Sequence, residues 1–167
     1  MGMGKKSTTT RVAPSKKGAD SWLPEPSTPA QVAQGLVGQE GRMGCGLACV
    51  ASVLRISYKR ANRLAATVGV RGNDRWPGYW PRALQALLDY AGQPYARSKF
   101  GATSEAERHR QAMALPRGSI VFVRDTGDYR WGHYLVRMPG GWMDPAKGRL
   151  VRKLPACPKS YLKPATG

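Results

Sequence analysis

The first part of the chain contains four segments predicted to be helices, three from apolar spacing and one from a capping signal. Residues 45–56 (CGLACVASVLRI) are apolar nearly all round, which is typical of a short helix buried at the centre of a domain. Residues 61–68 repeat apolar side chains at helical intervals, and Gly69 is expected to end this second helix. A third helix is predicted from the proline at 81 to the glycine at 92, and a fourth, opened by a capping box, over residues 104–114.

The pattern changes after residue 118, where strands and tight turns are predicted. Residues 119–124 (SIVFVR) indicate a buried strand, and DTGD indicates a turn after it. Residues 134–138 (YLVRM) indicate a second strand, and a Pro-Gly-Gly turn leads into Trp142 and Met143. Because helices come first and an antiparallel sheet second, the predicted fold class is α+β.

The two ends of the chain differ in composition from the middle. Residues 1–30 are rich in Ser, Thr, Pro, Gly and Lys and lack an apolar period, which predicts a basic, mobile arm. Residues 31–155 are expected to form the folded domain. Residues 156–167 are expected to form a basic C-terminal tail.

Charge is the outlying feature of the composition. The 167 residues include 27 Lys and Arg against 10 Asp and Glu, a net charge of +17. This excess favours contact with an acidic partner, such as nucleic acid, an anionic membrane or an acidic protein. No apolar stretch is long enough for a transmembrane helix, and no apolar region of a secretory signal follows the N-terminal lysines. We therefore expect synthesis in the cytoplasm, with later delivery or association with a particle left open.

Cys45 is the cysteine whose position favours reactivity. It stands between two glycines where the buried helix should begin, and a helix N-terminus lowers the pKa of a thiol. Cys49 lies one turn deeper and is expected to be a small core residue. Cys157, near the end of the chain, is expected to be an incidental surface thiol. An odd number of cysteines favours free thiols in a reducing compartment.

The chain has two histidines, and only His133 lies where its polarity needs a reason. His109 belongs to a polar helical stretch and is expected to be a solvated surface residue, whereas His133 begins an apolar strand. Taken alone, His133 is most simply a half-buried histidine with satisfied hydrogen bonds. A reactive Cys45 changes that interpretation, because a cysteine nucleophile needs a base.

Two further residues complete a candidate constellation. Asp144 lies one hairpin beyond His133, so antiparallel pairing would put its carboxylate beside the imidazole, although Asp-Pro is also an ordinary start for a turn. Gln39 precedes Cys45 by six residues and offers a neutral double donor, suited to an oxyanion hole with the Cys45 backbone N–H.

The segments QEGRMGCGLACVASVL (39–54) and GHYLVRMPGGWMDPAKG (132–148) together resemble a known family. They are similar to the papain-like cysteine peptidases that cut double-glycine leader peptides, domains usually found at the N-terminus of bacteriocin-exporting ABC transporters. The resemblance implies Cys45 as nucleophile, His133 as base, Asp144 as the residue that orients the base, and Gln39 as oxyanion donor. It also implies a papain-like fold with a buried nucleophile helix followed by an antiparallel sheet, and a peptide or protein substrate.

Three functional hypotheses remain open on the sequence. The first is a cysteine hydrolase that cleaves a peptide or isopeptide bond, in which a loop at residues 71–80 could line the cleft and favour acidic or extended substrates. The second is a catalytically silent, basic scaffold associated with nucleic acid or with a particle such as a virion. The third is a delivered toxin or effector with the same chemistry as the first. The chain lacks the GxxxxGK[ST] motif of an exporter subunit, no cofactor is expected, and the cysteine and histidine spacing does not favour a zinc site.

Overall fold

The computed structural model of the protein describes residues 23–72 and 78–165, which form an α+β domain. In these ranges the helices are α1 Pro29–Ala33, α2 Cys45–Leu54, α3 Tyr58–Val68, α4 Pro81–Tyr90 and α5 Glu105–Met113. The strands are β1 Tyr95–Lys99, β2 Ile120–Val123, β3 His133–Met138, β4 Gly141–Asp144, β5 Arg149–Val151 and β6 Pro158–Pro164. All observed strand pairs are antiparallel, so the predicted class is confirmed.

Local capping signals explain where the predicted helices begin and end. The side chains of Ser57 and Ser104 each accept a hydrogen bond from the third backbone N–H of the helix that follows, α3 and α5 respectively. Pro81 occupies the first turn of α4, and Gly69 ends α3 in the left-handed conformation with φ 75°. Helix α2 ends at Leu54, slightly before the predicted end, because Arg55 adopts a left-handed conformation.

The strand order in the sheet is β1-β6-β2-β3-β4-β5, which corrects the expected C-terminal boundary. Most of the expected tail is a strand: β6, Pro158–Pro164, lies between β1 and β2 and pairs with both, and its Leu162 is 1% exposed. The basic residues Lys159 and Lys163 point outward from this strand and give the segment its tail-like composition. Strands β1 and β5 were likewise absent from the sequence-based assignment.

The N-terminal boundary also needs correction. Helix α1 begins at Pro29 and has its own capping box, in which the Thr28 and Gln31 side chains each accept a hydrogen bond from the other residue's backbone N–H. The hydroxyl of Ser27 accepts a hydrogen bond of 2.9 Å from the Gly38 backbone N–H. Residues 23–30 are therefore part of the domain, and the rest of the expected arm, residues 1–22, lies outside the described residues.

Two apolar clusters cover the two faces of the sheet. One unites helices α2, α3 and α4 with side chains such as Tyr134 and Val136 of β3. The other packs Ala112 of α5 against the opposite face, where Leu135 and Trp142 point. The packing of α2 on β3 brings the beginning of that helix to the beginning of the strand. No helix in the described ranges combines the length and the apolar character needed to cross a bilayer.

Candidate active site

Cys45 is the first residue of α2, and its surroundings favour the thiolate. Its N-cap is Gly44, and no side chain of the described residues caps this helix. Burial would raise the pKa of the Cys45 thiol, but the hydrogen bond and positive charge of His133 lower it below its ordinary value. Backbone hydrogen bonds from Tyr134 and Gly46 act in the same direction. A lowered pKa makes Cys45 a candidate nucleophile.

His133 and Asp144 form a buried ion pair next to that thiol. The distance between His133 Nε2 and Asp144 Oδ1 is 2.8 Å, and the residues are 6% and 0% exposed. Burial would lower the pKa of His133, but hydrogen bonds and negative charge from Asp144 and Cys45 raise it to about 9. Because Nε2 is hydrogen-bonded to Asp144, Nδ1 is the ring nitrogen that remains available to Cys45, and the opposite pKa shifts favour a thiolate–imidazolium pair.

The Asp144 carboxylate is held ionised by several neighbours. Burial would raise its pKa, but the hydrogen bond and charge of His133 lower it, helped by the Ala146 backbone N–H. That N–H donates to Oδ1 over 3.0 Å, and Lys147 Nζ lies 3.9 Å from Oδ2. The carboxylate is therefore positioned to orient the His133 ring and to stabilise its positive charge.

The β3–β4 hairpin explains why His133 and Asp144 meet. Val136 pairs with Met143 and Met138 pairs with Gly141, so the tight turn sets the register of the two strands. In this register Asp144, one residue beyond Met143, is opposite Leu135 on the neighbouring strand. His133 is two residues earlier, at the first position of β3, within diagonal reach of the carboxylate.

Gln39 lies close to the same hairpin, but its amide hydrogens are used within its own loop. Its backbone N–H donates to the Pro145 carbonyl over 2.9 Å, and the residue is 2% exposed. Its side-chain Nε2 donates to the carbonyls of Gly41 at 3.1 Å and Arg42 at 3.4 Å. The structure brings Cys45, His133 and Asp144 together, whereas Gln39 supports the loop that leads into the nucleophile. Its role as an oxyanion donor stays a prediction.

Two tyrosines that the sequence did not single out also belong to the site. The Tyr129 ring lies 5.6 Å from the His133 ring, and the hydroxyl of Tyr134 donates over 3.0 Å to the carbonyl of Tyr79. Tyr129 is positioned by Asp125, whose Oδ1 accepts its backbone N–H over 3.0 Å. An aspartate at the start of DTGDY is typical of a turn in which the aspartate side chain accepts hydrogen bonds from the backbone that follows. The sequence analysis predicts only a turn at this position.

An open groove of about 750 Å³ begins beside the candidate nucleophile. Its lining includes the loop from Gly41 to Gly44, the exposed side of α3 and Tyr79. The Tyr58 hydroxyl lies so close to Gly44 that a Cβ at that position would overlap it. Glycine at position 44 therefore leaves room for the tyrosine at the end of the groove nearest Cys45.

The burial of Cys49 agrees with the sequence-based prediction, and the burial of Cys157 does not. Cys49 is 0% exposed, and burial, with the negative charges of Cys45 and Asp144, raises its pKa well above its ordinary value, so the prediction of a core residue is confirmed. The prediction of a surface thiol at Cys157 is wrong, because the residue is 8% exposed where the chain enters β6.

His109 is a half-exposed residue on α5, paired at 3.4 Å with Glu105. Among the described residues, no three His, Cys, Asp or Glu side chains come together as metal ligands.

Comparison of the chain with models of known protein families gives no match, and comparison with curated protein sequences gives none either. The geometry of Cys45, His133 and Asp144 is therefore what supports a functional proposal.

Proposed function

We propose that this protein is a cysteine hydrolase of papain-like architecture that cleaves a peptide or isopeptide bond. The observation that carries the proposal is the placement of the Cys45 thiol beside the His133 imidazole, whose Nε2 is hydrogen-bonded to Asp144 Oδ1 at 2.8 Å. A nucleophile, a base and a residue that orients the base, in that order, form the arrangement used in covalent acyl transfer. The resemblance of residues 39–54 and 132–148 to double-glycine leader peptidases supports the same chemistry and suggests a peptide substrate.

The proposed reaction has two steps. The Cys45 thiolate attacks the substrate carbonyl carbon, and a C–S bond forms as the carbonyl oxygen becomes an oxyanion. The oxyanion collapses, the C–N bond breaks, and the His133 imidazolium transfers its proton to the leaving amine. Water then attacks the thioester while His133 takes its proton, which releases the carboxylic acid and restores the thiolate.

The oxyanion needs hydrogen-bond donors at the beginning of α2. The Cys45 backbone N–H lies at the uncapped N-terminus of that helix, where the helix dipole also favours negative charge. Gln39 is the second proposed donor. Because its Nε2 contacts the Gly41 and Arg42 carbonyls, it serves the oxyanion only after the loop shifts and frees one of its hydrogens.

Chemical labelling tests the nucleophile directly. Alkylation with iodoacetamide at mildly acidic pH, followed by peptide mass spectrometry, is expected to modify Cys45 before Cys49 and Cys157. Substitution of His133 by Ala should slow Cys45 labelling, because the imidazolium that stabilises the thiolate is gone. Preferential labelling of Cys49 or Cys157 would contradict the assignment.

Loss of hydrolysis tests the reaction itself. Internally quenched peptides with a Gly-Gly centre, or with mixed sequences, are the substrates of choice. The Cys45→Ser variant should lose at least about 10³-fold in kcat/KM against any peptide that the native protein cleaves. Wild-type and variant proteins are compared by circular dichroism, so that a loss of fold is distinguished from a loss of chemistry.

The net charge of +17 favours a second candidate function, a catalytically silent scaffold that binds a polyanion. Such binding releases counterions and weakens steeply with salt. DNA and RNA binding measured at two salt concentrations for the native and Cys45→Ala proteins tests this alternative. Salt-dependent binding by both proteins, together with no hydrolysis by the native protein, would favour the scaffold over the hydrolase.

A further inference from the structure

The groove beside Cys45 has walls that favour an extended chain. Four glycines and two alanines contribute to its lining: Gly41, Gly44, Gly69, Gly72, Ala65 and Ala66. Such small residues carry no long side chain that would block a peptide from lying along the wall. Gly44, which is one of the lining residues, immediately precedes Cys45 in the chain, so a segment bound in the groove ends near the candidate nucleophile.

Among the described residues that line this groove, the charged side chains are all positive. Arg42 lies on the loop before Cys45, and Arg71 lies just after the end of α3; both are exposed. The described lining contains neither aspartate nor glutamate. The neighbouring Glu40 is exposed and is not a lining residue. An arginine fork binds a carboxylate through paired hydrogen bonds, so this lining is complementary to an acidic side chain.

We propose that the groove selects an extended peptide segment that carries an acidic residue next to the scissile bond, with Arg42 and Arg71 binding its carboxylate. This inference rests on the proposed hydrolase function and adds to it the class of substrate. Arg42 and Arg71 are thus residues that determine specificity, whereas Cys45, His133 and Asp144 carry the chemistry. The backbone of the segment lies along the glycine-rich wall, and the acidic side chain determines which peptide sequences bind tightly.

The first experiment measures binding without cleavage. Fluorescein-labelled decapeptides that differ only by Glu or Gln at one position on either side of a Gly-Gly centre are titrated into the Cys45→Ala variant. Fluorescence anisotropy at 50 mM salt should show about fivefold tighter binding of the Glu peptide at the preferred position, the size expected for exposed ion pairs. Raising the salt concentration should reduce that preference, because the pairs are solvent-exposed.

Matched variants locate the preference in the groove. In the same Cys45→Ala background, the Arg42→Gln/Arg71→Gln change should remove the preference for Glu over Gln, and the Arg42→Lys/Arg71→Lys change should retain part of it because the positive charge remains. Arg97→Gln/Lys99→Gln, which removes the same two positive charges at exposed positions on β1 outside the groove lining, should leave it intact. Equal binding of Glu and Gln peptides, no binding of either, or a preference that survives the double Gln change would overturn the inference.

The second experiment separates this inference from the proposed function. The same peptides, internally quenched, are given to proteins that retain Cys45. Cleavage with no preference for Glu would leave the hydrolase proposal standing and overturn the acidic specificity. Glu-selective binding that depends on the two arginines, with no cleavage and no selective labelling of Cys45, would retain the acidic-peptide site and overturn the hydrolase.

Discussion

The helical region and the sheet contribute to the candidate site in different ways. His133 and Asp144 both come from the β3–β4 hairpin, only 11 positions apart in the chain, and the register of one turn brings them together. Cys45 comes from α2, which reaches His133 only because that helix packs on β3. The base and its carboxylate are thus fixed by local pairing, while the nucleophile is fixed by tertiary packing. Each of these relationships can be disrupted separately.

Disruption within the hairpin should have the largest effect on the rate. Asp144→Asn keeps the size of the side chain but removes the charge that stabilises the His133 imidazolium. We expect kcat/KM to fall by about 10²-fold in a protein that remains folded, with a lower thermal unfolding midpoint because the buried ion pair is lost. A variant with native activity would mean that another acceptor orients the imidazole.

The pH dependence of the same variant sharpens this prediction. In the native protein, activity should rise with pH as Cys45 loses its proton and fall again as His133, with a pKa of about 9, loses its own. Removing the Asp144 charge lowers the pKa of His133, so the alkaline limb of kcat/KM should move to lower pH. An alkaline limb that stays in place would show that Asp144 does not act through His133.

Disruption of the packing between the two regions should have the next largest effect. A Cβ at Gly46 would lie 3.1 Å from a methyl group of Leu84 and 3.3 Å from the Tyr134 ring, so Gly46→Val should push the beginning of α2 away from β3. We expect a loss of about 1–3 kcal/mol in unfolding free energy and at least about tenfold in activity, because Cys45 moves relative to His133.

Gly101→Val is the matched control for this packing change. Among the described residues, no atom other than those of its chain neighbours lies within 4 Å of a Cβ at Gly101, and the backbone there has no positive φ. Denaturant unfolding and peptide hydrolysis should both be close to native for the control. Equal losses in both variants would contradict the argument that α2 packing positions the nucleophile.

The smallest effect is expected at the edge of the hairpin. Lys147 Nζ is 3.9 Å from Asp144 Oδ2 and its side chain is 46% exposed, so water screens much of its charge. Lys147→Gln should change kcat/KM by less than about threefold and shift the alkaline limb only slightly. A loss as large as that of Asp144→Asn would assign Lys147 a direct part in the reaction.

The sequence predicted those elements whose ends carry strong local signals. Helices α2 to α5 were predicted from apolar spacing, the Ser104 capping box, Pro81 and Gly69, because these signals act within one or two turns. Strand β6 was missed because it combines lysines with terminal prolines, which is also typical of a tail, and only its pairing with β1 and β2 makes it a strand. Helix α1 was missed although the Thr28–Gln31 capping box is visible in the sequence, because its surroundings are rich in proline and serine.

The candidate site shows the same division between local and long-range information. The contact between His133 and Asp144 was predictable because one short hairpin separates them. The hydrogen bonds of Gln39 were not, because a side-chain amide selects among carbonyls that only the folded loop brings near. The placement of Tyr129 against His133 likewise depends on how the loop before β3 folds back.

The position of β6 in the sheet has a consequence for the order of folding. Its partners β1 and β2 precede it by long stretches of chain, so its pairing requires closure of large loops and is expected to be among the slowest steps. Until β6 docks, β2 presents an unpaired edge and β1 lacks its strand partner, although all the elements of the candidate site are already synthesised. Exposed edges of this kind pair readily between molecules. Refolding yield should therefore fall as protein concentration rises, with aggregates forming through these two edges.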